Sequence, residues 1–425
     1  MDELKWFAEY VNNKNNKVYA ELKENITLPN YGENNWEPIK EYKGVFDGKG
    51  HTISKVFCER FNQDYAGLFG INNGKIINVG IIDSYFSGKY YIGSFCGCNN
   101  GIIENCYSSS TYNGDENDGG VIGVCYVGGV CGVNNGTIKY CYNSGKVEAS
   151  EDYVGGLCGY NQEQGKITSC FSTGIIIYNK ENAVNYGSFC GCNKDNSQIN
   201  NCYTSAKVQE INDYYGKESK GVFNCNNTNY YLCNEDNGNG GKTNQQFLSG
   251  EVAYLLGLND EIWGQDLSVE NSLPCLNCDK KVYKVKCVDD DAYSNQDQNY
   301  EKPEYENGFC KHCGAYQEAN LNNDNYYEIY NAGNLYWFAQ YVNKGGENLK
   351  ANAILMNDIV VNKNVLNKYG DLNGNCYNFI TWKTIGYYAT YKSYDYNGIF
   401  DGNKKTISGL YINNYYCPRK QFFDL

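Results

Sequence analysis

The sequence predicts an all-β chain wound as a parallel β-solenoid, and three observations carry that expectation. A short glycine-bracketed motif returns five times, and residues at corresponding places in the copies are alike. The composition, with 47 glycines and 43 tyrosines against 5 prolines in 425 residues, favours many short strands and tight turns over long helices. An excess of Asn, Lys, Tyr and Ile is also what AT-rich codon usage would give, so residue order carries more than totals.

The first element is helical. LKWFAEYVN at Leu4–Asn12 places Leu4, Phe7, Ala8 and Val11 on one stripe. A solenoid end left open would expose unpaired backbone and apolar ladders, so this helix is expected to cover it. A strand, YAELKENITL, follows, then Trp36 and GVFDGKGHTI from Gly44, whose Asp-Gly pair predicts a tight hairpin-like turn.

The repeats come next. GLFGINNGKIINV starts at Gly67, SFCGCNNGIIENC at Ser94, GVCGVNNGTIKYC at Gly129, GLCGYNQEQGKITSC at Gly156 and SFCGCNKDNSQINNC at Ser188. A partial head, GGVIG at 119–123, precedes the third. The last head glycines, Gly70, Gly97, Gly132, Gly159 and Gly191, stand 27, 35, 27 and 32 residues apart, which predicts insertions at one corner.

Two residues after the turn Gly or Ser comes Ile76, Ile103, Ile138, Ile167 or Ile199, and three further on Val79, Cys106, Cys141, Cys170 or Cys202. An odd gap cannot keep both on one strand face, so a bend is expected between them. Six residues beyond lie Tyr85, Tyr112, Val147, Ile176 and Val208. A single unit cannot bury its apolar face alone; stacking sets each Ile on the next Ile, at roughly 1.5–3 kcal/mol per buried side chain.

The cysteines follow the same logic. Cys96, Cys131, Cys158 and Cys190 align with Phe69, and the tail cysteines align with Val79, so these slots accept plain hydrophobes and core filling is the better account. Rungs about 4.8 Å apart also leave an occasional disulfide open. Cys98 and Cys192 share a face with their head cysteines if the strand runs straight. The Asn-Asn-Gly triplets at 72–74, 99–101 and 134–136 suit corners that need positive φ.

These units resemble GLUG repeats, named for a G-L-x-G core, over about residues 36–208. The resemblance implies a right-handed parallel β-helix and a bacterial surface or secreted protein of adhesin-like type.

TNQQFLSGEVAYLL carries a T-x-x-Q capping box at Thr243 and Gln246 and predicts a short closing helix. Similar segments, with Trp263–Gln265 and Leu273–Pro274, close GLUG solenoids, so a first capped module is expected over 1–274, with repeats over about 65–208. A linker over 275–324 holds CLNC (Cys275, Cys278), Cys287 and FCKHCGAY (Cys310, Cys313). Paired CxxC knuckles can make a tetrahedral thiolate zinc site, although the 31 residues between Cys278 and Cys310 exceed common ribbon spacing. NGFCKHCGAYQ resembles the zinc-knuckle-like linkers between repeats of such surface proteins. The resemblance implies a structural zinc on Cys310 and Cys313, with Cys287 or the CLNC pair completing the set, and a metal-free linker is the alternative.

The helix motif recurs as LYWFAQYVN at Leu335–Asn343, followed by ANAILMNDIVV, Trp382 and GIFDGNKKTI from Gly398, so 325–425 reads as the start of a second module. The sequence runs 11 residues past Asn414, which predicts a fragment of a longer gene product; a short protein whose tail docks on the first module is the alternative.

Function is bounded by charge and by residue type. A net charge of −13 without a basic run gives no footprint for nucleic acid or anionic membrane. No stretch reaches the roughly 18–20 apolar residues of a membrane helix, and MDELKWFAEY is acidic and amphipathic, unlike a signal peptide. Two histidines, His51 and His312, give little basis for histidine catalysis. Asp289–Asp291, the densest acidic run, reads as a solvated loop. The leading expectation is a non-enzymatic surface or secreted solenoid that meets a host glycan or surface protein through paired tyrosines such as Tyr90–Tyr91, Tyr214–Tyr215, Tyr230–Tyr231 and Tyr387–Tyr388. A polysaccharide-active β-helix enzyme and a metal-stapled structural linker are the rivals.

Overall fold

The computed structural model describes residues 2–412, apart from 30–32, 61, 111–119, 163, 180, 195, 211–228, 234–239, 288–289, 298–302, 370, 374–378, 383 and 390–391. Two compact units divide the chain, one of residues 1–242 with 255–262, the other of 243–254 with 263–425.

The first unit is a parallel β-solenoid. One turn runs through five short strands, as in Phe69–Asn72, Lys75–Ile77, Gly80–Ile82, Tyr85–Gly88 and Tyr90–Gly93. Each strand pairs in parallel with its counterpart one turn on, giving five sheets of six, seven, nine, six and four strands in that order. Insertions, expected at one corner, open at three, between the first and second, the third and fourth, and the fourth and fifth strands, because each corner can lengthen and leave the register intact.

The expected isoleucine ladder forms in full. Ile76, Ile103, Ile138, Ile167 and Ile199 pair rung on rung and are all fully buried, with Phe46 and Ala20 continuing the column below. Ile39, Phe69, Cys96, Cys131, Cys158 and Cys190 make a second buried column. The tail positions Val79, Cys106, Cys141, Cys170 and Cys202 make a third. Every described cysteine is unbridged, and the Cys131 and Cys158 sulfurs stand 3.8 Å apart. Cys98 and Cys192 point the other way and are half-buried.

The bend between isoleucine and cysteine is a left-handed residue. Asn78, Asn105, Tyr140, Ser169 and Asn201, each just before its Val or Cys, have φ between 50° and 55°. The Asn-Asn-Gly triplets, expected at positive φ, do not adopt it. Their first asparagine is instead buried: Asn72, Asn99, Asn134, Asn161 and Asn193 form a ladder in which each side-chain amide donates to the carbonyl oxygen of the next, at 2.7–2.8 Å. The glycine of the triplet is demanded by close approach, since a Cβ on Gly101 would stand 2.1 Å from the Gly74 carbonyl oxygen.

Three further expectations are corrected. Phe86, not Tyr85, occupies the fourth-sheet column with Cys58, Val121, Val147, Ile176 and Val208, because the turn before it holds one more residue. Tyr112 lies outside the described residues. Gly120–Gly123 is no partial head; it is the fourth strand of its own turn, paired with Tyr85–Ser87. The Asp47–Gly48 turn is not a hairpin, since Val45–Asp47 and Thr52–Ser54 lie in different sheets, each paired in parallel with the next turn.

A helix, Asp2–Asn13, covers the start of the coil, with Leu4, Phe7, Ala8 and Val11 buried and the Phe7 ring 5.9 Å from Tyr42 and 5.8 Å from Phe46. The second unit repeats this arrangement. Helix Ala332–Asn343 sets Phe338 6.1 Å from Phe400, Tyr396 donates to the Ala351 carbonyl as Tyr42 does to Val18, and Asn352–Leu355 pairs in parallel with Phe400–Asp401. Trp36 and Trp382 are both buried. Short helices occupy Asn244–Leu248 and Glu251–Gly257, and Thr243 and Gln246 form the expected capping box. The linker strands pair antiparallel: Trp263–Gly264 with Cys275–Leu276, and Tyr283–Cys287 with Asp290–Ser294, so Asp290 and Asp291, expected in a loop, are strand residues instead. Among the described residues no helix is long and apolar enough to cross a membrane.

The columns set expected costs. Cys131→Val keeps an apolar filler and should change stability by less than about 1.5 kcal/mol. Asn134→Leu strands the amides above and below it and should cost about 1–3 kcal/mol per orphaned group. Urea unfolding measures both, and equal costs would contradict the assignment of one column as filler and the other as hydrogen-bonded.

Candidate functional site

The lateral surface carries the chain's unusual backbone. Tyr65, Tyr91, Tyr126 and Tyr153, on successive rungs where the fourth strand turns into the fifth, have φ of 63°, 64°, 58° and 66°. A bulky residue there is an outlier, costing roughly 1–2 kcal/mol each. Their half-buried rings stack with centroids 4.9, 4.9 and 4.7 Å apart, and such contacts return roughly 0.5–1.5 kcal/mol per pair. With four strained backbones and three stacked pairs, stacking offsets only part of the strain.

This corner explains the last glycine of the middle heads, Gly97, Gly132 and Gly159. A Cβ on Gly132 would stand 2.5 Å from the Tyr126 carbonyl oxygen, so the left-handed tyrosine and the glycine require each other. Burial pushes the Tyr126 hydroxyl up to about 12 and raises Tyr65, Tyr91 and Tyr153, so all four phenols are protonated donors at neutral pH.

The tyrosine column borders the outer face of the head strands. Ile71, Cys98, Val133, Tyr160 and Cys192 share that face by register, and the Tyr160 ring lies 5.0 Å from Tyr153 and 5.9 Å from Tyr126. Burial pushes the Cys98 thiol up to about 11, which leaves it a weak nucleophile. Beyond this face runs a second, outer row of amides: Asn100 donates to Asn73 and Asn135 to Asn100, both at 2.8 Å, and Asn73 donates to Glu41.

A second aromatic column, Tyr107, Tyr142, Phe171 and Tyr203, stacks on the third sheet with centroids 5.0, 4.5 and 5.0 Å apart and planes within 6°. In both columns the faces of the inner rings are used up by their neighbours, and Tyr203, at the end of the second column, is fully buried. Of the tyrosine pairs singled out in the sequence, Tyr91 joins the column and Tyr90 lies beside it at 6.4 Å, under the Lys89 ammonium. Tyr230 is buried and Tyr231 half-buried, Tyr387 lies in an antiparallel pair with Tyr394, and Tyr214 and Tyr215 lie outside the described residues. Tyr65, Tyr126 and Tyr153 escaped the sequence reading, although each lies five or six residues before a head glycine.

The linker cysteines sit in two places. Cys275 and Cys278 are half-buried neighbours, and burial together with the adjacent Cys278 thiol pushes Cys275 up. Cys310 is buried against Val285 and Ala292, with Cys313 packed beside them. Among the described residues no three His, Cys, Asp or Glu side chains converge as a metal set, so the four cysteines stand as separate pairs. The side chain of Cys287 and residue Asp289 lie outside what is described.

Two carboxylates do meet lysines. Lys49 lies 3.0 Å from Asp47 and 3.7 Å from Glu21, and Lys23 pairs with Glu21. Burial works against ionisation of Asp47, but hydrogen bonds from Asn78 and from the Lys49 backbone and ammonium outweigh it and hold the carboxyl below its usual range. Hydrogen bonds from Lys23 and Tyr19 likewise lower Glu21. Neither is a proton donor at neutral pH. Asp47 instead ends the corner row in which Asn105 donates to Asn78 and Asn78 to Asp47.

The family model of the GLUG motif matches residues 151–177, one full turn from the Tyr153 corner almost to the end of Ile175–Tyr178. Over 99 residues the chain is 35% identical to Halomucin of Haloquadratum walsbyi, an alignment covering 22% of this chain and 1% of that protein. It is 30% identical over 99 residues to a Gly-rich membrane protein of Evansella cellulosilytica, covering 20% of this chain and 12% of the relative. The chain therefore spans a small part of either relative. A crystal structure titled as an immunoglobulin A1 protease from Bacteroides ovatus superposes with a TM-score of 0.43 at 18% identity, over 64% of this chain and 89% of that one.

Asp47 makes acid stability testable. Its folded pKa is depressed, so its contribution is complete above the ordinary aspartate value of about 3.9 and is lost as pH falls through the lower folded value. Asp47→Asn should lower stability at neutral pH and shrink the wild-type loss on acidification; parallel curves for the two proteins would contradict this.

Proposed function

We propose that this chain, a GLUG-repeat β-solenoid, is a non-enzymatic surface or secreted protein that presents its lateral face to a host glycan or surface protein. The observation that carries the reading is the column of left-handed tyrosines at 65, 91, 126 and 153. Four rungs keep a strained bulky residue where asparagine or glycine would be relaxed, at a half-exposed edge where its stability return is small. The names of the matched relatives, Halomucin and a Gly-rich membrane protein, agree with a surface location.

The lowered Glu21 and Asp47 carboxylates argue for ion pairing over general acid catalysis at the one described place where two carboxylates meet lysine.

The purified chain is expected to bind a subset of glycans on a mixed glycan and mucin array, with no change in ligand mass afterwards. Folded protein that binds neither glycans nor mucins would overturn the glycan reading, and ligand cleavage would overturn the non-enzymatic one.

A further inference from the structure

The geometry points to one groove as the ligand site: the outer face of the head strands, running along the solenoid axis, takes a linear, uncharged polysaccharide. This inference rests on the lateral-face reading above and adds to it a place and a ligand class.

The groove has two polar walls and an apolar floor. One wall is the tyrosine column, whose hydroxyls find no hydrogen-bond partner among the described residues. The other is the outer amide row, where Asn73 and Asn100 each spend one amide hydrogen within the row or its end and keep the second. Between them lie the half-buried Ile71, Cys98 and Tyr160, with Val133 buried among them. The floor and the row are continuous, because the Cys98 sulfur lies 3.5 Å from the Asn100 oxygen and 3.7 Å from the Asn135 amide nitrogen. Tyr160 is tilted 43° from Tyr153, so its face is not consumed by the column.

Each feature recurs once per rung, about every 4.8 Å. That is comparable with the length of one sugar unit, so a glycan lying along the axis meets a phenol and an amide at each residue and rests its C–H faces on the floor. The floor of the central rungs contains neither carboxylate nor ammonium; the carboxylates Asp64, beside Tyr65 and Tyr91, and Asp152, beside Tyr153, flank the tyrosine wall, and Glu41 pairs with Lys43 at the end of the amide row. A net charge of −13 disfavours acidic polymers further. An extended peptide would bind through backbone, but the inner strands here are paired on both sides and offer no free edge.

The test uses the full chain. Affinity for hydroxyethylcellulose, galactomannan, polygalacturonate and hyaluronate is measured by affinity electrophoresis for wild type, Tyr126→Gly, Tyr160→Ala and the off-groove control Tyr142→Phe, with unfolding midpoints recorded for each. Glycine is relaxed at the Tyr126 backbone, so that variant tests the ring without adding strain. A neutral polymer is expected to bind, the two groove variants to lose at least tenfold in affinity, and the control to match wild type. Neutral binding that survives both groove substitutions would overturn the groove and leave the surface reading standing. Preference for the acidic polymers would overturn the ligand class. No polysaccharide binding at all would overturn this inference, while the broader reading would still be decided by the array, mucins included.

Discussion

In-register stacking governs this molecule. Because each strand pairs in parallel with its own counterpart one turn away, every residue lies over the equivalent of itself, and a side chain is tolerated only if it can satisfy its own copy. Isoleucine does so by contact, and cysteine does so as a small hydrophobe. Asparagine does so by a head-to-tail amide chain, which is how five buried carboxamides persist where a single one would carry unmet hydrogen bonds. The same rule forces a left-handed tyrosine to sit on another, with a glycine left open for its backbone.

Positions governed by burial alone were legible in the sequence. The Ile76–Ile199 series, the exchange of Phe69 for Cys96 and of Val79 for Cys106, the two amphipathic helices and the Thr243–Gln246 cap are all periodic or carry local hydrogen-bonding signals. Asparagine defeated the reading because one residue type serves two purposes: Asn72 is a buried ladder member and Asn78, six residues on, is the left-handed corner. Propensity points to a turn in both cases and cannot tell them apart. Tyr126 was hidden for the opposite reason, since propensity argues against tyrosine at positive φ and only the neighbouring rungs make it acceptable. Phe86 was missed through one extra residue in a corner, where chain length and not chemistry sets the register.

The lateral face follows from the same stacking. Columns of rings spend their faces on each other, so a surface rich in tyrosine offers hydroxyls and edges more than aromatic platforms. Under the proposed function, recognition falls to repeated polar rows beside an apolar floor. The linker obeys different rules: its strands pair antiparallel and its cysteines, legible as pairs, are placed by local packing instead of by a ladder.

The most direct measure of rung-on-rung packing is a pair of double-mutant cycles in urea unfolding. Ile138→Ala with Ile167→Ala, on adjacent rungs, should show a coupling of at least about 0.5 kcal/mol, while Ile138→Ala with Ile199→Ala, two rungs apart, should be additive within about 0.3–0.5 kcal/mol. Additivity in both cycles, or stronger coupling across the distant pair, would contradict the stacked register.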